Sequence, residues 1–180
     1  MAKQFDCIED NHARFIAEQH IFFTATAAPT GRVNLSPKGM DALRVLGPDR
    51  IIWLNLTGSG NETAGHLLES PRVTLMWCSF TKRPMILRAY GTARAVYPGD
   101  ADWPGLSQHL PDHRGARQIF DMSVDMVQTS CGYAVPFMAY EGERDTLEHW
   151  AASKSDAQLT EHWQTRNATT LDGRPTRSDG

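Results

Sequence analysis

Leu56-Thr57-Gly58-Ser59-Gly60-Asn61-Glu62-Thr63 gathers glycines, hydroxyls and an amide between two apolar runs, Arg50–Leu54 and Val73–Cys78. A turn of this composition, leaving a strand and opening a short helix, collects free backbone N–H groups and the positive end of a helix dipole in one place. That is what a phosphate requires. No Gly-Lys-Ser/Thr follows, so the stretch is not a Walker loop, and only Gly58-x-Gly60 has the spacing of a dinucleotide fingerprint. The same residues also read as a plain helix start: Ser59 with Glu62 three positions on is a capping box, which satisfies helix-end donors without any ligand. Nothing in the chain forces a protein-borne acid or base. His66, His109 and His113 are candidates only because imidazole titrates near neutrality. Cys7, Cys78 and Cys131 are an odd, scattered set with no C-x-x-C, which points to buried thiols rather than a disulfide framework or a zinc site.

The composition narrows the partner. The 180 residues are 41% hydrophobic and 22% charged, the make-up of one globular domain with a real core; we expect that domain over 1–165 and a polar tail, ordered only in part, over 166–180. A net charge of −3 and a pI near 6.1 argue against nucleic acid and against anionic membranes, since both demand clustered Lys and Arg. An oligonucleotide-binding barrel would also need exposed aromatics among those cations. A small molecule is the expected partner. No apolar run approaches the roughly 20 residues of a membrane span, and Met1–Asp10 lacks the charged-then-apolar build of a signal peptide, so a cytoplasmic location is expected.

The elements that must position the loop follow from pattern. Asp6 with Glu9 forms a second capping box ahead of an N-terminal helix carrying Ile8, His12, Phe15 and Ile16. Ile21–Ala27 and Arg32–Ser36 make a hairpin about Pro29-Thr30-Gly31, and Arg50–Asn55 is the third strand. The helix after Ser59 must stop before Pro71. Val73–Phe80 and Pro84–Val96 are strands, Pro98–Gln118 is an excursion with short helices, and Ser123–Ser130 and Tyr133–Tyr140 are two further strands. Asp145 with Glu148 starts a last helix, carrying Leu147, Trp150, Ala151, Leu159 and Trp163, with a break near Ser153–Ser155. Short, mostly antiparallel strands with helices at the ends describe a small barrel.

In this order of elements the chain resembles the pyridoxamine 5'-phosphate oxidase superfamily, the FMN-binding split-barrel proteins. Arg32-Val33-Asn34-Leu35-Ser36-Pro37-Lys38-Gly39 is similar to the family's Arg-x-Val-Leu-Leu-Lys-Gly strand with one residue inserted. Leu56-Thr57 matches its Tyr-Thr step. Asn61 to Leu67 and Ser70-Pro71-Arg72-Val73 match its Ser-Arg-Lys-x-x-x-Leu and Asn-Pro-Arg-Val, and Cys131–Pro136 looks like the tail of one branch.

The resemblance implies a mainly β split barrel with flanking helices that acts as a homodimer with FMN at the subunit interface. It implies FMN contacts from Ser36, Lys38, Gly39, Thr57, Ser59, Asn61 and Thr63, with Lys38 reaching the phosphate; of Trp53, Leu54 and Asn55, which fall where the flavin ring would lie, Trp53 and Leu54 are expected to serve the core. The implied activity is an FMN-dependent oxidoreductase acting on a small substrate; the alternative is a flavin or small-ligand carrier or sensor without turnover. Glu62-Thr63 stand where the family carries an Arg-Lys pair, and a charge-assisted hydrogen bond contributes roughly 1.5–3 kcal/mol, so phosphate should be held more loosely unless Lys38 and backbone N–H groups compensate. The family's next-strand glutamine falls near Met85 or Ile86. The C-terminal Arg-x-His of true pyridoxamine 5'-phosphate oxidases has no match around Glu148-His149-Trp150, Arg166-Asn167-Ala168 or Leu171-Asp172-Gly173-Arg174, which implies that this chain does not catalyse that reaction.

Overall fold

The structure, a computed structural model, describes residues 2–177. Its elements are β1 Lys3–Phe5, α1 Asp10–Ala17, β2 Phe22–Thr26, β3 Asn34–Lys38, β4 Leu43–Gly47, β5 Arg50–Leu56, α2 Glu62–Glu69, β6 Arg72–Cys78, β7 Ile86–Val96, α3 Trp103–Ser107, β8 Ala116–Ser130, α4 Thr146–Ala152 and α5 Asp156–Arg166. The strands form one antiparallel sheet in the order β3-β2-β6-β7-β8-β5-β4. Its two edges, β3 and β4, do not pair with each other, so the curved sheet stays split rather than closing into a barrel. The expected mainly β, split-barrel architecture is the one observed.

β8 ties the sheet together. Along one side it pairs with β7 from Ile119 to Ser130. Along the other it pairs first with β5, from Ala116 to Ser123, and then with β1 at Val127–Thr129. A bulge between Tyr90 and Gly91 adjusts the β7 register, and a Cβ at Gly91 would overlap the Ser123 carbonyl oxygen. Inside the curve lie Trp53, Leu75, Trp77, Leu87, Phe120 and Met122, each at most 1% exposed, closed over by Phe15 and Ile16 of α1 and Ala64 of α2. Burying a side chain of this size contributes about 1.5–3 kcal/mol. A smaller cluster of Ile52, Leu54, Val96 and Ile119 packs under Leu106 of α3.

The hairpin of β2 and β3, the third of the expected strands, the helix stop before Pro71 and the break ahead of α5 appear where expected. Several local readings do not. β4 was absent from the sequence reading, and the stretch from Ala116 to Ser130 is one 15-residue strand rather than a polar excursion followed by a strand at Ser123. Tyr133–Tyr140 forms turns and irregular chain; Tyr133, Phe137 and Met138 stand 81%, 78% and 61% exposed, with no strand partner to bury one face. Cys7 is half-buried and Cys131 exposed, and only Cys78 of the three thiols is buried. The Asp6 box is replaced by Glu9, whose own N–H donates to His12 Nδ1 at 3.1 Å, and Asp145 makes no side-chain cap. Capping boxes form instead from Glu9 with His12 at the start of α1 and from Ser155 with Gln158 at the start of α5.

The residues beyond α5 fold back onto α2. Thr169 pairs with Pro175, Asp172 accepts from the Arg32 guanidinium and from its backbone N–H, and Arg174 pairs with Glu69 at 2.8 Å. The approach is close because Gly65 has no side chain: a Cβ there would run into Thr170 Cγ2 and the Pro175 oxygen. No helix of the described residues is long and apolar enough to cross a membrane.

Candidate functional site

β3 and β5 carry the site, because alternation along each strand turns Ser36, Lys38 and Asn55 to the same side as the loop after β5. Asn34, Ser36 and Lys38 are the half-buried positions of β3, while Leu35 and Pro37 face out. The loop then enters α2 with Asn61 at the N-cap and no side-chain cap on the first turn. The Ser59–Glu62 box does not form. Glu62 instead turns its carboxylate to Leu171, whose N–H donates to both oxygens at 3.0 and 3.2 Å. Between these elements lies a groove of about 580 Å³ lined by Ser36, Lys38, Asn55, Asn61, Thr63 and Arg117 among others.

Hydrogen bonds aim these groups. Asn61 Oδ1 accepts from Asn55 Nδ2 at 3.1 Å and from Gln118 Nε2 at 2.9 Å, which fixes the amide so that its NH₂ is left for the groove. Lys38 Nζ donates to Asn55 Oδ1 at 3.4 Å. Asn34 donates to Thr63 Oγ1 at 3.2 Å and to Thr26 Oγ1 at 3.3 Å, so the Thr63 proton is free to donate outward. Ser36 donates to Asn34 Oδ1 at 2.8 Å. Behind them, His66 is 1% exposed and its Nδ1 lies 3.1 Å from Thr26 Oγ1.

Two cations face this donor set from the protein interior. Arg117, 6% exposed, donates from Nη1 to the Gly60 carbonyl at 3.1 Å and from Nη2 to the Leu56 carbonyl at 3.0 Å, while its buried Nε has no partner. Burial pulls the Arg117 guanidinium down to about 10. Burial, and then the charge of Arg117, pulls the Lys38 ammonium down to about 8. Glu62 is the one carboxylate among the groove's lining residues, and it is bonded to Leu171. Two partly desolvated positive charges without a carboxylate partner repel each other, and an anion between them removes that cost.

The structure therefore brings together Ser36, Lys38, Ser59, Asn61 and Thr63 of the expected contacts. Thr57 is placed differently: its buried hydroxyl donates to the Gly115 carbonyl at 2.7 Å and accepts from Trp163 Nε1 at 2.8 Å, so it pins α5 to the loop. Gly39 lines a neighbouring groove of about 880 Å³. That groove is larger, but the four carboxylates on its border, Asp41, Glu143, Asp145 and Glu148, outnumber Arg44 and Arg144, and Arg44 is already paired with Asp41 at 2.7 Å, which makes it a poorer seat for an anion. Its rim contains Met40 and Asp41, both in the left-handed region at φ 62° and 54°. His113 reaches it, 3.5 Å from Glu148, and His109 stands exposed outside both grooves. Asn55, expected beside the flavin ring, lines this groove, whereas Arg117 and Gln118 were missed by sequence reasoning; the available signal was an Arg-Gln pair directly preceding the apolar Ile119-Phe120. Gln118 brings a side-chain amide to the site from β8, where the family pattern had pointed to Met85 or Ile86.

Comparison with known proteins bears on this geometry. The family model described as pyridoxamine 5'-phosphate oxidase matches residues 8–131. The pyridoxamine 5'-phosphate oxidase family protein ustO of Aspergillus flavus is 33% identical over 149 residues, 80% of this chain and 60% of the relative; the chain thus spans about three-fifths of that relative's length. Among solved structures, HupZ of Group A Streptococcus superposes with a TM-score of 0.53 at 17% identity, covering 66% of this chain and 91% of that one. A Lactobacillus delbrueckii protein described as a candidate pyridoxamine 5'-phosphate oxidase gives 0.55 at 15% identity, covering 68% and 94%. These two likenesses show the fold.

Proposed function

This chain belongs to the pyridoxamine 5'-phosphate oxidase family, and from that premise we propose that it is an FMN-dependent oxidoreductase that seats the cofactor's phosphate between Lys38 and Arg117. The observation that carries the reading is the pair of desolvated cations at the mouth of α2 with no carboxylate between them and an unpartnered Arg117 Nε. A phosphate monoester carries about −1.5 to −2 charges at neutral pH and only accepts hydrogen bonds. The donors that face the groove, Lys38, Arg117, the Asn61 amide and the Thr63 hydroxyl, fit it in charge and in direction. Arg117 supplies from β8 the second positive charge that Glu62-Thr63 do not supply from α2.

The bound flavin supplies the hydride chemistry. The chain's own residues hold the phosphate end, fix its depth through the Lys38–Asn55–Asn61–Gln118 chain of bonds, and keep bulk water from the two cations. We propose a small-molecule substrate other than pyridoxamine 5'-phosphate, because the acidic border of the larger groove disfavours a second phosphate. We further propose that the protein works in the cytoplasm as a homodimer, a reading supported by the exposed Val33, Leu35, Tyr133 and Phe137, which a partner copy would cover.

The test is a titration of the purified protein with FMN and with riboflavin, followed by reduction of the bound flavin. Tighter binding of FMN, and reoxidation by a small acceptor faster than that of free FMN, support the proposal. Equal affinity for the two flavins removes the phosphate seat, and tight FMN binding without accelerated reoxidation leaves a carrier rather than an enzyme.

A further inference from the structure

The hairpin that follows α5 holds the loop at two of its acceptors, the Gly58 carbonyl and the Glu62 carboxylate. Asn167 Nδ2 donates to the Gly58 carbonyl at 3.0 Å, the Thr176 hydroxyl donates back to the Asn167 carbonyl at 2.6 Å, and the Leu171 N–H is held by the Glu62 carboxylate. Thr169, Thr170 and Leu171 themselves line the groove. Asn167, Thr170 and Thr176 are buried at 2%, 5% and 4% exposure, so three polar residues anchor a segment whose other positions, Leu171 among them, are exposed or half-buried.

Glu62 is the one groove residue whose charge opposes an anion. We propose that Glu62 is a positioning residue: by accepting the Leu171 N–H it holds residues 168–176 as the third wall of the groove and at the same time turns its own negative charge away from Lys38 and Arg117. Docking of the hairpin and binding of a phosphate ligand are then coupled, and by reciprocity the ligand also holds the hairpin down. Gly65 is the second requirement, since only a residue without a side chain lets Thr170 and Pro175 lie against α2. The inference rests on the anion reading of the groove.

Two kinds of variant separate the tether from the charge. Glu62→Gln keeps an oxygen for the Leu171 N–H and removes the charge; Glu62→Ala removes both. Gly65→Ala leaves Glu62 intact and dislodges the hairpin, while favouring the α2 helix itself. The probes are FMN and inorganic phosphate, with backbone hydrogen exchange over residues 168–176 recorded with and without FMN. We expect FMN to slow exchange of the hairpin in the unaltered protein and in Glu62→Gln, and affinity to fall about 10-fold in Glu62→Ala and Gly65→Ala but not in Glu62→Gln. FMN preference over riboflavin in the unaltered protein together with undiminished affinity in Glu62→Ala and Gly65→Ala overturns the positioning role alone. Absence of any preference for FMN in the unaltered protein overturns the anion seat, and this proposal with it.

Discussion

A Lys38→Met variant keeps the length of the side chain and removes the ammonium, so it should weaken the ligand and strengthen the fold together. In the folded protein burial, reinforced by Arg117, brings Lys38 from its ordinary value of 10.5 to about 8. Below about pH 8 the amine is charged both folded and unfolded, and the folded state bears the whole desolvation cost; a gap of this size corresponds to about 3 kcal/mol. Between about pH 8 and 10.5 the folded amine has lost its proton while the unfolded one keeps it. The unfolded state then binds more protons, and the stability of the unaltered protein rises with pH across that window. The variant should therefore be more stable at pH 7 by about 3 kcal/mol, and the difference should shrink to about 1 kcal/mol by about pH 9.5. Its FMN affinity at pH 7 should fall roughly 10- to 100-fold, the loss of one charge-assisted bond, with riboflavin affinity unchanged. Urea denaturation at the two pH values and fluorescence titration read both quantities. Undiminished FMN affinity, or a variant less stable than the parent at pH 7, would refute the reasoning.

Arg117→Met should weaken FMN by about 100-fold and, because the Gly60 and Leu56 carbonyls lose their donor, should also lower stability by about 1–3 kcal/mol, which distinguishes it from Lys38→Met in the same denaturation assay. Light scattering at micromolar concentration should return twice 20.1 kDa; a monomer that still binds flavin would remove the homodimer from the proposal. Gly91→Ala, which drives a methyl group into the Ser123 carbonyl, should cost about 1–3 kcal/mol in denaturant unfolding and broaden the exchange protection of β7 and β8; a neutral result would show that the bulge can slide.

The readable parts of the chain were those governed by local rules. Pro29-Thr30-Gly31 specifies the β2–β3 turn, with Gly31 at φ 93°, Pro71 ends α2, and the register of Lys38 on β3 follows from alternation with the outward Leu35 and Pro37. The failures share one cause, a partner far away in sequence. Glu62 leaves the local cap because its carboxylate is taken by the Leu171 N–H, 109 positions on. β4 is five residues that stand as a strand only because β5 pairs with them from Leu43 to Gly47. Arg117 and Gln118 fall in a stretch whose Pro, Gly, Asp and His read as loop, and their strand character comes from β5 at Asn55 and Leu56. Half of the donor set was thus visible, and the half supplied by β8 required the pairing.

The arrangement of β8 constrains how this chain can be made. Leu56 ends β5 and Ala116 begins β8, roughly 60 residues apart, which at ribosomal speeds of about 5–20 residues per second is an interval of about 3–12 s. Through that interval Ile51-Ile52-Trp53-Leu54, each at most 3% exposed in the finished molecule, has only β4 beside it and an open strand edge on the other side, the kind of surface that recruits other chains. β1, the first element to emerge, waits longer still for Val127–Thr129. The first half of the nascent chain thus keeps an open edge until β8 emerges, and faster synthesis of residues 57–130 shortens that exposure.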